Sequence, residues 1–380
     1  MKIVFTGGGT AGHIFPLLAI LREIKKAHRD LPELEFFYVG PKDGYPLQLL
    51  AKEGAKIRII TTGKIRRYFS FKNFLDVFKM PVGFFQALFW LFISPPDLIF
   101  SKGGYASFPA VLASRILAIP IFLHESDSCP GMTARITSRW ALEIFTSFQE
   151  TEYFKKEKMI FVGNPVRTEI LGGSKKEAKG LLRLEGKKPL IGIIGGSQGA
   201  QSINNLILEI LPELLGDFEL VHQTGKKNYA QVKSEAKVLM SQVHKKRYHP
   251  IPFLNEKELR AVLGAADLII SRAGAGALFE IAASGKPAII IPLPGSAQDH
   301  QAKNAYQYSK TGAAQVLEHE NLKPHFFLER IRYFFSRPRS LKNMAASTEL
   351  FAGPKAGGII ASYLLEYLEQ SKKGKKKQKK

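Results

Sequence analysis

Short apolar runs recur along this chain with helical segments between them, and that alternation restricts the fold more than any other feature. "KIVFT", "EFFYVG", "IRIITT", "DLIFSKGG", "IPIFLHE" and "ALEIFTSF" come first. Strand-like runs alternating with helical stretches predict parallel strands joined by crossover helices. The pattern restarts after Gly163 with "PLIGIIGGSQG", "FELVHQTG", "IPFL", "DLIISRAG" and "PAIIIPLPG". At 380 residues the chain is too long for one ordinary core and suits two. The expected architecture is therefore α/β, with two Rossmann-like, doubly wound parallel-sheet domains.

Between the two halves, "GNPVRTEILGGSKKEAKGLLRLEGKKP" carries glycine, proline and lysine without a strand-like run. The boundary is placed near Asn164, giving a first domain over 1–163 and a second over 164–370. The segment from Ser347 to Tyr367 has helical spacing and suits packing on either domain. It is assigned to the second. The tail 371–380, rich in lysine and without apolar residues, is expected to be disordered.

The glycine clusters sit at strand ends: Gly7 to Gly12, Gly103 and Gly104, Gly195 to Gly199, and Gly274 to Gly276. In open parallel sheets ligands collect beyond the carboxyl ends of strands. One such loop is readily explained as a tight turn, but four at equivalent places point to a ligand, and two domains facing each other through them would form one deep cleft.

In "TGGGTAGHIFP", Gly7, Gly9 and Gly12 satisfy the dinucleotide pattern G-x-G-x-x-G. A ribose-binding acid should end the second strand, yet "EFFYVGPK" ends in Val39 and Gly40, with Glu33 and Glu35 at the wrong end. What survives is a loop whose backbone amides and following helix N-terminus approach a phosphate or sugar closely. His13 falls in the first turn of that helix, where the positive end of the dipole favours a neutral ring usable as a general base. A hydrogen-bonded structural histidine is the competing reading.

"GGSQGAQSINN" repeats the strand, glycine turn and helix, with Ser197 and the early amides placed to hold a diphosphate. No lysine follows as in a nucleoside-triphosphate loop. "SRAGAGALFEI" places Glu280 after a third such loop, where a carboxylate accepts both hydroxyls of a ribose; a solvated helical glutamate is the alternative. D-x-D, H-E-x-x-H and cysteine pairs are missing from the sequence, so neither a metal nor another cofactor is expected. A cation such as Arg167 would then help to stabilise a leaving diphosphate.

A net charge of +22 points to a polyanionic partner. "KIRRYFSFKNFLDVFKMPVGFFQALFWLF" mixes Lys64, Arg66, Arg67, Lys72 and Lys79 with many aromatics, of which Phe71, Phe74 and Phe78 share one helical face with Leu75. That face suits a core, and basic groups among aromatics also suit single-stranded nucleic acid. Docking on an anionic bilayer fits better, because the aromatics are dense and the run Val82 to Ile93 is too short to span. The single cysteine, Cys129, and the short apolar start suit a chain kept in the cytosol.

Taken in order, "TGGGTAGHIFP", "SKGGY", "HES", "GNPVR", "GGSQGAQSIN", "SRAGAGALFEIA" and "DHQAKNA" resemble the bacterial N-acetylglucosaminyltransferase family of peptidoglycan synthesis, which converts lipid I to lipid II. The resemblance covers nearly the whole chain and stops before the lysine tail. It implies a GT-B glycosyltransferase whose two domains face across a cleft. The first handles the acceptor and the membrane, and the second handles UDP-N-acetylglucosamine (UDP-GlcNAc). Donor contacts carry over to Thr10, Ala11, Gly12, Asp127, Arg167, Ser197 and Leu254, to the run Ala275, Gly276, Ala277, Leu278, Phe279 and Glu280, and to Gln301. Gly103, Gly104 and Tyr105 match the acceptor-side loop.

The implied reaction is an inverting, metal-independent transfer in which His13 takes the proton of the 4-hydroxyl of the muramoyl sugar of lipid I. Its implied place is the cytoplasmic face of the cell membrane, held peripherally. Two departures stand out: Asp127 replaces the family's usual asparagine, and "RAGAGALFE" lacks the hydroxyl residues often found before its glutamate. The alternatives are a related diacylglycerol glycosyltransferase and a non-catalytic protein binding nucleic acid or a dinucleotide, of which nucleic acid is the less expected partner.

Overall fold

The computed structural model describes residues 1–27, 34–42, 44–63, 71–151, 153–196, 199–353 and 355–377, with the side chains of 71–75, 77, 297 and 375–377 outside that description. The chain divides into two units, Met1–Val166 with Gly353–Lys380, and Arg167–Ala352. The division falls just past the boundary expected near Asn164.

Among the described residues each unit is built on one parallel sheet. The first holds β1 (Lys2–Thr6), β2 (Glu35–Gly40), β3 (Lys56–Ile59), β4 (Leu98–Ser101), β5 (Ile121–Glu125), β6 (Glu143–Thr146) and β7 (Met159–Phe161), in the order β3-β2-β1-β4-β5-β6-β7. The second holds β8 (Leu190–Ile194), β9 (Glu219–Gln223), β10 (Tyr248–Ile251), β11 (Leu268–Ser271), β12 (Ala288–Ile290) and β13 (Ala314–Val316), in the order β10-β9-β8-β11-β12-β13. Ile3, Phe5, Leu98, Ile99 and Phe100 are wholly buried, as central strands covered by helices on both faces must be.

The strand order reverses between β1 and β4 and again between β8 and β11. At such a switch point the loops leave in opposite directions and open a crevice beyond the carboxyl ends. The four glycine clusters follow β1, β4, β8 and β11. Three strands differ from the apolar runs: β10 starts at Tyr248, ahead of "IPFL", and tolerates Pro250 because it is an edge strand. The edge strands β7 and β13 are too short to show as apolar runs.

The largest departure concerns the C-terminus. The helix Ala356–Lys377 joins the first unit, although residues to 370 were expected with the second. Ile360, Leu364 and Leu368 recur every fourth residue and share a core with Leu17, Leu21 and Ile24 of the helix Ala11–Ala27. Tyr363 and Tyr367 set their rings edge-on against Phe145 and Phe122, with centroids 5.4 and 5.0 Å apart. The lysine tail, expected to be disordered, continues this helix through Lys377. A packed helix supplies the nucleus, and lysine is a good helix former.

Candidate active site

In the first unit, β1 runs into a loop at Gly7 and the helix Ala11–Ala27 starts four residues later. Gly9 has φ +83°, where a side chain is strained, and a Cβ there would lie 2.7 Å from the Tyr105 hydroxyl and displace that ring. The Tyr38 hydroxyl donates to the Gly7 carbonyl at 2.6 Å and fixes the loop's start. The His13 N–H donates to the Thr10 carbonyl at 3.1 Å, which closes the first turn. Thr10 and Gly12 are exposed, while Ala11 and His13 are half-buried.

The loop after β4 meets this turn. Gly103 and Gly104 both have positive φ, at 73° and 77°. A Cβ on Gly104 would lie 3.0 Å from Nε2 of His13 and 3.3 Å from its Cδ2 and Cε1, so the imidazole lies against a bare backbone. The structure thus brings together His13, Gly103, Gly104 and Tyr105 at the switch point of this sheet.

Behind that loop lies a buried polar cluster in which only Asp127 was assigned a role from sequence. Lys102 is 1% exposed and its ammonium donates to the Ser126 hydroxyl. Burial pulls the lysine down to about 8, against the opposing pull of the Glu125 and Asp127 carboxylates. Burial, and then the charge of Asp127, push Glu125 up to about 7, although the Asp127 N–H donates to its Oε1 at 3.0 Å. His124 is held well below the ordinary histidine value by burial and by the Lys102 charge. The signal was in "SKGGY" and "HES", but a lysine beside two glycines reads as a solvated loop residue until the fold buries it.

In the second unit, the loop after β8 carries Gly196 and Gly199 at φ 81° and 78°. A Cβ on Gly199 would lie 2.4 Å from the Thr224 carbonyl. Ser197 lies outside the described residues. Gln223 donates to the Gly196 carbonyl at 2.8 Å, and Arg272, from the loop after β11, donates to that of Gly199 at 3.3 Å. Arg272 is a second residue that sequence reasoning missed. Among the described residues no side chain caps the helices Gln201–Glu209 or Ala275–Ala283, whose first amides point out of the turn.

Glu280 lies on the second of these helices, and its Oε1 accepts from Nη2 of Arg167 at 2.6 Å and from Nε at 3.1 Å. The third nitrogen of Arg167 reaches Glu256 at 3.5 Å, so two carboxylates hold a guanidinium only 3% exposed. Leu254 is buried one residue before Asn255, which caps the helix Glu256–Ala265 by accepting from the Lys257 and Glu258 amides. Leu278 and Phe279 turn their side chains inward, Phe279 against Phe351 with centroids 4.4 Å apart. Any donor contact from those two comes from backbone.

Gln301 accepts from the Leu293 N–H at 3.0 Å and follows Gln298 and Asp299, which hold left-handed φ values of 58° and 51°. Two such residues in sequence store strain, a feature that clusters at binding sites. Asn304, wholly buried, donates to the Ala273 carbonyl at 3.3 Å and ties this helix to the loop after β11. The loops after β8, β11 and β12 thus form the second unit's candidate site. Among the described residues no group of three or more His, Cys, Asp or Glu is placed to hold a metal ion.

The helix Phe71–Ile93 presents a separate surface. Phe78, Val82, Phe85, Phe89 and Phe92 recur at steps of four and three, one face of a helix, and they are 60, 49, 63, 57 and 73% exposed. The opposite face buries Ala87 and Leu91. Phe78, on the face for which core was the competing reading, is exposed. Lys64, Arg66 and Arg67 lie outside the described residues, as do the side chains of Phe71, Lys72, Phe74 and Leu75. No helix of the described residues is long and apolar enough to cross a membrane.

Two Rossmann-like parallel-sheet units with glycine-lined loops at each switch point make a GT-B fold. A crystal structure of MurG from Acinetobacter baumannii superposes with a TM-score of 0.70 at 24% identity, covering 96% of this chain and 99% of that one. A UDP-GlcNAc 2-epimerase from Neisseria meningitidis, solved bound to UDP-GlcNAc, gives 0.68 at 17% identity over 96% of this chain and 100% of that one. The models of the glycosyltransferase family 28 N-terminal and C-terminal domains match residues 3–146 and 190–356.

Among curated relatives, a protein of Treponema denticola is 36% identical over 96% of this chain and 97% of its own length. One of Clostridium tetani is 35% identical over 91% and 94%. Both are named UDP-N-acetylglucosamine–N-acetylmuramyl-(pentapeptide) pyrophosphoryl-undecaprenol N-acetylglucosamine transferase. The chain belongs to glycosyltransferase family 28 and, within it, to the family of these transferases.

Proposed function

We propose that the chain transfers N-acetylglucosamine from UDP-GlcNAc to the 4-hydroxyl of the muramoyl sugar of lipid I, making lipid II. The relatives' shared name supplies the substrates. The observation that carries the chemistry is the seat of His13, whose imidazole lies against the bare backbone of Gly104 where two switch-point loops meet. Nε2 takes the proton of the acceptor hydroxyl as that oxygen attacks the anomeric carbon, and inversion turns an α-linked donor into a β-linked product. Gly103, Gly104 and Tyr105 line the acceptor side.

The donor lies on the second unit. Glu280 accepts the ribose hydroxyls, and Arg167, already bound to Glu280 and Glu256, orients that carboxylate instead of serving the diphosphate alone. The amides of the loop after β8 and of the helix Gln201–Glu209 receive the leaving diphosphate, with Arg272 as the cation beside them. Leu254, Gln301 and the backbone of 275–279 complete the second unit's donor contacts, and Thr10, Ala11, Gly12 and Asp127 keep the donor role given by their motifs. Ser197 keeps the diphosphate role given by its motif.

The Phe78 to Phe92 stripe docks on the cytoplasmic face of an anionic membrane, where the lipid-borne acceptor resides. Exposed aromatics at helical spacing on a basic chain favour that surface. The test is UDP release from UDP-GlcNAc with a lipid I analogue, run beside diacylglycerol as acceptor. Turnover with the first alone is expected. Turnover with diacylglycerol alone, or with neither, overturns the reading.

A further inference from the structure

We propose that Lys102 is a positioning residue for this transfer: its buried ammonium bonds Ser126, balances Glu125 and Asp127, and holds the turn after β5 against the loop that seats His13. The inference rests on the transferase reading above.

The geometry begins with the sheet. β1, β4 and β5 are neighbours, so the segments leaving their carboxyl ends are stacked side by side. Lys102 is the first residue after β4, and its Cβ lies 3.1 Å from where a Cβ on Gly7 would stand, which places it beneath the loop after β1. Its side chain turns inward instead of reaching solvent. A cation is expensive to bury and is retained where its partners need it.

From the end of β5, His124, Glu125 and Asp127 face it; from the loop after β1 the contact is uncharged Gly7. One cation beside two carboxylates leaves Ser126 a fixed acceptor and offsets part of the repulsion between the two acids. Without the ammonium, one acid must take up a proton or the turn must open. Either change moves Asp127, which follows Ser126 directly. Lys102 is joined directly to Gly103, so a change in the bonding of its ammonium to Ser126 is passed to the acceptor loop.

The test is the pH profile of turnover with UDP-GlcNAc and a lipid I analogue, read from about pH 5 to about pH 10. The wild-type chain is expected to lose activity as pH rises through about 8, where Lys102 gives up its proton. Lys102→Met is expected to lose tenfold or more of its turnover near neutrality and to lack that alkaline limb. Adding Glu125→Gln to Lys102→Met removes one of the two repelling acids and is expected to restore most of the loss, as charge balance requires.

If Lys102→Met fails to fold, Glu125→Gln alone decides. It takes away an anion that supports the ammonium, so the alkaline limb moves to lower pH. An alkaline limb at the wild-type pH in either single variant, or no rescue in the double variant, overturns the inference. A wild-type chain that does not turn over the lipid I analogue removes the transferase reading instead, and the inference falls with it.

Discussion

Arg167 binds Glu280 through two nitrogens directed at one carboxylate oxygen, at 2.6 and 3.1 Å, while its remaining nitrogen reaches Glu256 at 3.5 Å. The guanidinium is thus a clasp between the first turn of the helix Glu256–Ala265 and the helix Ala275–Ala283. Glu280→Ala is expected to raise the donor KM with little change in kcat, because binding common to ground and transition states is removed. Arg167→Ala is expected to do the same by releasing the carboxylate. In the double variant the two effects should fall short of their sum by about 1 kcal/mol or more, as for any pair in direct contact. Steady-state kinetics in UDP-GlcNAc for the four proteins checks this, and strict additivity would refute the clasp.

His13→Ala is expected to reduce kcat by ~10²- to 10⁴-fold while leaving the donor KM near its original value, the loss typical of a positioned general base. Near-normal turnover in that variant removes the role assigned to the imidazole.

Gly104 has φ 77° and ψ 157°, a region open in practice to glycine alone, and its Cα faces the His13 ring. Gly104→Ala is expected to destabilise the protein by about 1–3 kcal/mol. Its added methyl group must also push the imidazole aside, so kcat falls more than the donor KM changes. Urea unfolding together with kinetics separates the two effects. A variant with wild-type kcat would show that the contact is unimportant.

Replacing Phe85 and Phe92, the most exposed members of the stripe on the helix Phe71–Ile93, by glutamate puts charge where an anionic bilayer would lie. Sedimentation with vesicles rich in anionic lipid should show binding by the wild-type chain that weakens with salt, and little binding by the double variant. Turnover of a water-soluble acceptor should be kept. Equal binding to neutral vesicles would count against the electrostatic part.

His222 is wholly buried, bonded to the Tyr248 hydroxyl at 2.9 Å and to Asn204 at 3.0 Å, and burial lowers it to about 3. The folded state therefore keeps this ring neutral, whereas the unfolded state binds a proton near pH 6.5. Stability from this group is complete above about 6.5 and is lost as pH falls from there toward about 3. Thermal unfolding across that window should show a slope that is smaller in His222→Gln. An identical slope in the variant would place the acid sensitivity elsewhere.

The glycine clusters were legible because the requirement is local. Positive φ at Gly9, Gly103, Gly104, Gly196 and Gly199 needs no knowledge of the neighbours, and each follows an apolar run that can only be a strand. The alternation of those runs with helices was enough to announce two parallel sheets, because backbone hydrogen bonding and burial on both faces act within short segments. His13 was singled out by the same route, as the third residue of a helix that begins in such a loop.

Three things depended on the tertiary structure. The apolar stripe of Ile360, Leu364 and Leu368 fits any complementary groove, and only the assembled first unit, with Leu17 and Leu21 waiting there, decided which. Lys102 looks like a solvated loop cation until β1, β4 and β5 lie side by side and close over it. Arg167 and Glu280 are 113 residues apart, and no local pattern states that they share a bond. Sequence sets what each segment prefers, since propensity and periodicity are short-range. Which charges end up dry, and beside whom, follows from long-range packing, where the cost of burying an ion without a partner selects the arrangement.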